Sequence, residues 1–189
     1  MELILIRHGE PDIEAEDLSD PPLTPLGERQ AESTADYLAA AAIDGIYVSP
    51  QLRAQQTMRP LAARHGIEPV TDVRIAEWDY EYGTYVPAWA FDEMTREEAM
   101  ARFNEMQGPE FHARVAAGFD DIIADNGGRT VAVVCHGGVI RSLIQSILGA
   151  KDTSLSAHHA SISRVAANRR GTRSVLTFNE HHWVPTDDE

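Results

Sequence analysis

Apolar residues fall into two kinds of run along this chain. Leu3 to Ile6, Ile46 to Val48 and Thr130 to Cys135 are short and nearly continuous in apolar residues. Runs of that length read as short buried strands. Other stretches repeat at helical spacing. Leu26, Ala31, Ala35 and Leu38 line one face of a predicted helix ending near Asp44-Gly45, with Thr24 able to cap it and Pro25 at its first position. Pro109 opens another, with Phe111, Val115, Phe119, Ile122 and Ile123 on one side and "DNGG" at 125–128 to stop it. A third carries Val139, Ile140, Leu143, Ile144, Ile147 and Leu148.

"SPQLRAQQTMRPLAARHG", 49–66, predicts a turn out of the second strand into a helix broken or kinked near Pro60. Ser161–Ala167 and Arg173–Phe178, joined through "NRRG", read as a closing pair of strands. Residues 77–108 follow no regular period and form a predicted excursion from the core. No repeat, low-complexity segment or linker interrupts the pattern. The alternation of strand and helix predicts one α/β domain over 1–189, a three-layer α/β/α sandwich around a mostly parallel sheet.

Ligands of such sheets bind beyond the carboxyl ends of the strands. Arg7 and His8 leave the first strand there. Ser49 leaves the second and places Arg53 in the first turn of the next helix, and His136 leaves the third, ahead of two glycines and a helix N-terminus. Guanidinium forks and oriented backbone N–H groups both match an oxyanion. A histidine among them serves as donor or, when neutral, as nucleophile.

The charge balance sharpens this. The 189 residues carry 16 basic and 30 acidic side chains, a formal net charge of -14. Such a field disfavours nucleic acid and anionic membrane as partners, so an anion site must be a local positive island. No apolar stretch reaches the length of a membrane span, the start resembles no signal peptide, and the single cysteine, Cys135, forms no internal disulfide. A soluble cytoplasmic protein is the expectation. Cys135 reads as a small core residue. His158-His159 and His181-His182 read as surface or rim residues rather than a metal site, since no HExxH or CxxC spacing is present.

"RHGE" (7–10), "LTPLGERQA" (23–31), "SPQLRAQQT" (49–57) and "VVCHGG" (133–138) resemble, in order and spacing, the motifs of the histidine phosphatase superfamily, the phosphoglycerate mutase-like proteins. "HHASISR" (158–164) and "TFNEHHWV" (177–184) are similar to its closing strands. The resemblance implies a phosphoglycerate mutase-like fold with His8 as the phosphorylated nucleophile and Arg7, Arg53 and His136 holding the phosphoryl group. Its proton donor falls in "IAEWDYEYG" (75–83), at Glu77, with Asp79 and Glu81 as alternatives and the excursion placed over the active site. It implies a phosphomonoester substrate, no metal and no cofactor.

The family's mutases carry Ser and Asn where this chain has Pro11 and Glu14, which favours a phosphatase over a phosphoglycerate mutase. A phosphate-binding scaffold on the same fold is the reading from another class. Trp78, Tyr80, Tyr82, Tyr85, Trp89 and Phe91 either line a leaving-group pocket or pack the excursion onto the core.

Overall fold

The computed structural model describes residues 1–86, 93–150, 155–168 and 170–186. Six strands form one sheet: β1 (Glu2–Arg7), β2 (Gly45–Val48), β3 (Val70–Thr71), β4 (Thr130–Cys135), β5 (Ile162–Ala167) and β6 (Arg173–Glu180). Their order is β3-β2-β4-β1-β5-β6. β1, β2 and β3 run parallel to their neighbours around β4, while β5 and β6 close the sheet antiparallel. The helices are α1 (Pro25–Tyr37), α2 (Leu52–His65), the short α3 (Asp79–Tyr82), α4 (Arg96–Met106), α5 (Pro109–Asp125) and α6 (Gly137–Leu148).

The three layers follow from side-chain alternation. Leu3, Leu5, Val131, Val133 and Cys135 face α5 and α6, packing on Val115, Phe119, Val139 and Leu143. Ile4, Ile6, Ala132 and Val134 face the opposite way, onto Ala35 and Leu38 and onto Ala54, Met58 and Leu61 of α2. Because both faces of β1 and β4 are covered, their sequences are apolar at nearly every position rather than at every second one. The α/β architecture and the mostly parallel sheet agree with the sequence pattern.

Several boundaries differ. α1 ends at Tyr37 with Leu38 as its C-cap, well short of Asp44. The residues after it pass through turns so that Asp44 can pair with Thr130 through its backbone N–H and its carboxylate. α2 runs unbroken through Pro60. β3 escaped the pattern because it is two exposed residues at the sheet edge. α3 and α4 lie within the predicted excursion.

Within that stretch Trp78 is buried in the same core cluster as Ile75 and Phe111, while Tyr80 and Tyr82 face solvent. Tyr85 donates its backbone N–H to Leu18 O, tying the stretch to the loop after β1. Trp89 and Phe91 fall outside the described residues. Cys135 is buried in the core as expected, and burial pushes its thiol pKa well up.

Candidate active site

β1 and β4 pair in parallel up to Arg7 and Cys135, so the residues that follow, His8 and His136, emerge side by side, their ring centroids 5.1 Å apart. Both are buried. His8 Nδ1 lies 2.7 Å from Gly9 O. A carbonyl oxygen only accepts, so Nδ1 carries the proton and Nε2 keeps its lone pair in the neutral ring. Burial, then Arg53, His136 and Arg7, hold the His8 pKa well below the ordinary histidine value. The ring is therefore neutral around pH 7.

The loop holding His8 depends on a backbone crossing. A Cβ on Gly9 would stand 2.5 Å from Gly27 O, and one on Gly27 would stand 2.2 Å from Glu10 O. Only two glycines allow the loop to cross the start of α1 this closely. Thr57 Oγ1 accepts from Gly9 N and donates to Arg53 O. Gln30 Oε1 accepts from Glu10 N, and Gln56 Oε1 accepts from Leu23 N. These polar residues of the "LTPLGERQA" and "SPQLRAQQT" motifs fasten the loop rather than face a ligand.

The two arginines are held differently. Arg7 donates from Nη1 to Ala157 O and from Nη2 to His159 Nε2. Its Nε has no partner among the described residues. Arg53, only 1% exposed, places Nη2 2.9 and 3.0 Å from the two oxygens of Asp79. Asp20 stands 3.7 Å from Arg53 Nη1, and the Tyr85 ring covers the guanidinium at 4.9 Å. His136 shares a 2.7 Å hydrogen bond between Nε2 and Ser49 Oγ, while its buried Nδ1 has no hydrogen-bond partner among the described residues. Burial and the charges of Arg53 and Arg7 lower its pKa well below the usual value.

The three candidate acids of 75–83 point in different directions. Glu77 is buried with its carboxylate on the N-terminus of α6, Oε2 accepting from Gly138 N at 2.7 Å and Oε1 from Trp78 N at 3.1 Å. Desolvation, reinforced by Asp79, raises its pKa above the ordinary value. Asp79 is occupied by Arg53 and by Gln51 Nε2. Glu81 is largely exposed and pairs with Arg114 at 3.4 Å. Of the three, Glu77 alone has its carboxylate on the turn after His136.

Arg7, His8, Arg53, Glu77 and His136 thus stand at one sheet edge, and the structure adds others. Gln51 bridges, its Oε1 accepting from Glu77 N and its Nε2 donating to Asp79. Asp20 accepts from Leu52 N and so caps α2, whose own N-cap side chain makes no such bond. His159, expected at the surface or rim, is half-buried at the edge of the cluster, 5.5 Å from His8 between ring centroids. His158 does point outward and stacks on His181 at 4.2 Å. The glutamine and proline of "SPQ" after a strand hinted at Gln51; nothing local marks Asp20 or His159. Two guanidinium groups, an unpartnered imidazole nitrogen and a helix N-terminus around a neutral histidine can receive a tetrahedral oxyanion and present a nucleophile to it.

A family model described as the histidine phosphatase superfamily (branch 1) matches residues 3–180. A Yersinia enterocolitica protein named "Probable phosphoglycerate mutase GpmB" is 29% identical over 184 residues, covering 87% of this chain and 84% of that protein. Among solved structures, mycobacterial glucosyl-3-phosphoglycerate phosphatase superposes with a TM-score of 0.79 at 21% identity, covering 95% of this chain and 98% of that one. Phosphoserine phosphatase from Entamoeba histolytica does so with a TM-score of 0.78 at 23% identity, covering 97% and 99%. These last two likenesses speak to the fold.

Proposed function

The chain belongs to branch 1 of the histidine phosphatase superfamily, and from that premise we propose that it hydrolyses phosphomonoesters through a phosphohistidine on His8. The observation that carries this reading is the tautomer of His8. Its proton is committed to Gly9 O, so Nε2 is an unprotonated nitrogen among Arg7, Arg53 and His136.

In the proposed first step Nε2 attacks phosphorus and the P–O bond to the leaving group breaks in line. Arg7 through its Nε–H, Arg53 through Nη1 and Nε, which make no hydrogen bond among the described residues, and His136 through Nδ1–H donate to the equatorial oxygens. Catalysis here is chiefly positioning and electrostatics. His136 can supply Nδ1–H when Nε2 accepts from the Ser49 hydroxyl, which the 2.7 Å contact permits. Protonated Glu77 passes its proton to the departing oxygen, and its raised pKa favours that form. In the second step water attacks the phosphohistidine, Glu77 takes its proton, and inorganic phosphate leaves. No step draws on a metal or cofactor.

Hydrolysis fits these residues better than a mutase cycle, although the Yersinia relative bears a mutase name. Asp20 and Asp79 already flank Arg53, so a leaving group bearing a carboxylate or second phosphate meets negative charge there. The only lysine, Lys151, lies outside the described residues. A small soluble phosphomonoester is the proposed partner, and among the described residues no helix is long and apolar enough to cross a membrane.

The test is release of phosphate from an aryl phosphate with and without chelator, in the wild type and in His8→Ala, with acid-labile phosphate measured on the protein. Chelator-resistant turnover that His8→Ala abolishes supports the proposal. Interconversion of phosphoglycerates without net phosphate release supports the mutase. Phosphate binding without any turnover supports a scaffold.

A further inference from the structure

The segment 157–161 lies along the end of β1 and bonds to it at three places. Ala157 O accepts from Arg7 Nη1, Ser161 O accepts from Arg7 N at 3.1 Å, and Ala160 N donates to His8 O at 3.1 Å. Between these backbone contacts the His159 ring reaches Arg7, Nε2 to Nη2 at 2.9 Å. We infer that His159 is a positioning residue, which holds the Arg7 guanidinium in the orientation that receives the phosphoryl group. The inference rests on the reading of Arg7 as a phosphoryl clamp.

Donor chemistry settles the direction of that contact. A guanidinium has no acceptor, so His159 Nε2 accepts and its proton sits on Nδ1. Neither nitrogen is then free to act as a nucleophile. Burial beside Arg7 pushes the His159 pKa down to about 2, so protonation does not break the contact in any ordinary buffer. Each terminal nitrogen of Arg7 gives one N–H to a protein acceptor, so the Nε–H, beside Gly137 at the start of α6, and the second N–H of each terminal nitrogen remain for a ligand.

The backbone around His159 is costly in a way that marks a fixed arrangement. Ala160 has φ 54°, in the left-handed region that residues with a Cβ seldom adopt, and it is fully buried. Its carbonyl is held by Thr34 Oγ1 at 2.9 Å, which in turn accepts from Trp183 Nε1. This turn sends His159 inward while His158 faces His181 outside. A tail residue, a helix α1 residue and a left-handed alanine together orient one ring onto Arg7.

The experiment compares wild type, His159→Gln, His159→Leu, Arg7→Ala and the double variant His159→Leu/Arg7→Ala. Readouts are the dissociation constant of inorganic phosphate by calorimetry, and kcat and KM on an aryl phosphate. His159→Leu is expected to weaken phosphate and raise KM about tenfold, the scale of one lost charge-assisted hydrogen bond. His159→Gln, whose Oε1 can accept in place of Nε2, is expected to recover to within about threefold on that same scale. In the Arg7→Ala background the leucine substitution should add nothing, because the effect travels through Arg7. A leucine variant that binds phosphate like wild type, or loses affinity equally with and without Arg7, overturns the inference. Should the leucine variant not fold, the nitrogen-15 spectrum of native His159 serves instead: the Nδ1–H tautomer unchanged to pH 5 supports it, and titration near pH 6.5 overturns it. Wild type that neither binds nor releases phosphate would sink the proposed function as well, which a silent leucine substitution would not.

Discussion

Glu77 seats its carboxylate on Gly138: Oε2 accepts from the Gly138 N–H at 2.7 Å, in the first turn of α6. The second glycine of "HGG" makes that seat possible, since a Cβ there would lie 2.3 Å from Glu77 Oε1 and 2.3 Å from Gln107 Nε2. A motif read as anion-binding in sequence is, at this position, also the cradle of the proposed acid.

Gly138→Ala should therefore displace the acid while leaving the clamps in place. Turnover of alkyl phosphates should fall about 10²-fold or more, the usual worth of a positioned general acid. Aryl phosphates, whose leaving groups need little protonation, should lose far less. A leaving-group series of kcat values checks this, and an equal loss across the series would count against Glu77 as donor.

The pH dependence follows from two opposite shifts. His8 must be neutral, and its lowered pKa keeps it so well into the acid range. Glu77 must be protonated to donate, and its raised pKa carries that form above the ordinary carboxylate range. The rate of phosphohistidine formation should fall as pH rises through the Glu77 pKa and show no break where a free histidine titrates. Glu77→Gln should abolish the alkaline limb in a kcat/KM profile.

Asp79 is the buried counter-ion of Arg53. Asp79→Ala should cost about 3–5 kcal/mol, because it removes the nearest counter-charge of a buried guanidinium and leaves the more distant Asp20. Added phosphate should restore part of the loss by occupying the same guanidinium. Urea denaturation with and without phosphate measures both effects.

His8, His136 and His159 all have folded pKa values well below the unfolded one. Below about pH 6.5 the unfolded chain takes up three protons that the folded chain refuses. Stability should then fall by about 1.4 kcal/mol per pH unit for each ring, or about 4 for the three together. Glu77 acts in the opposite sense, since its raised pKa makes the folded state the better proton acceptor as pH falls. Denaturation between pH 7 and 5 tests the slope, and His159→Gln should reduce it by about one proton's worth, again some 1.4 kcal/mol per unit.

The candidate acids show where sequence reading stops. Glu77, Asp79 and Glu81 alternate through one short acidic stretch and offer equivalent chemistry on paper. A single helical turn, α3, with the residues just before it, sends one carboxylate to α6, one to Arg53 and one to Arg114 at the surface. The aromatic cluster divides similarly: Trp78 joins the core, Tyr85 covers Arg53, and Tyr80 and Tyr82 stay in solvent.

By itself the sequence determined the layers and the principal cluster. Apolar periodicity is a local record of which faces are covered, and strand ends followed by Arg7-His8, Ser49 and His136 inherit their convergence from the parallel sheet. The tertiary structure alone decided the supporting contacts. His159 meets Arg7 across 152 positions, and Asp20 meets Leu52 from a loop without period. Such pairs depend on how separate turns approach one another and on which polar atoms lack a partner there. Neither condition leaves a repeating mark along the chain.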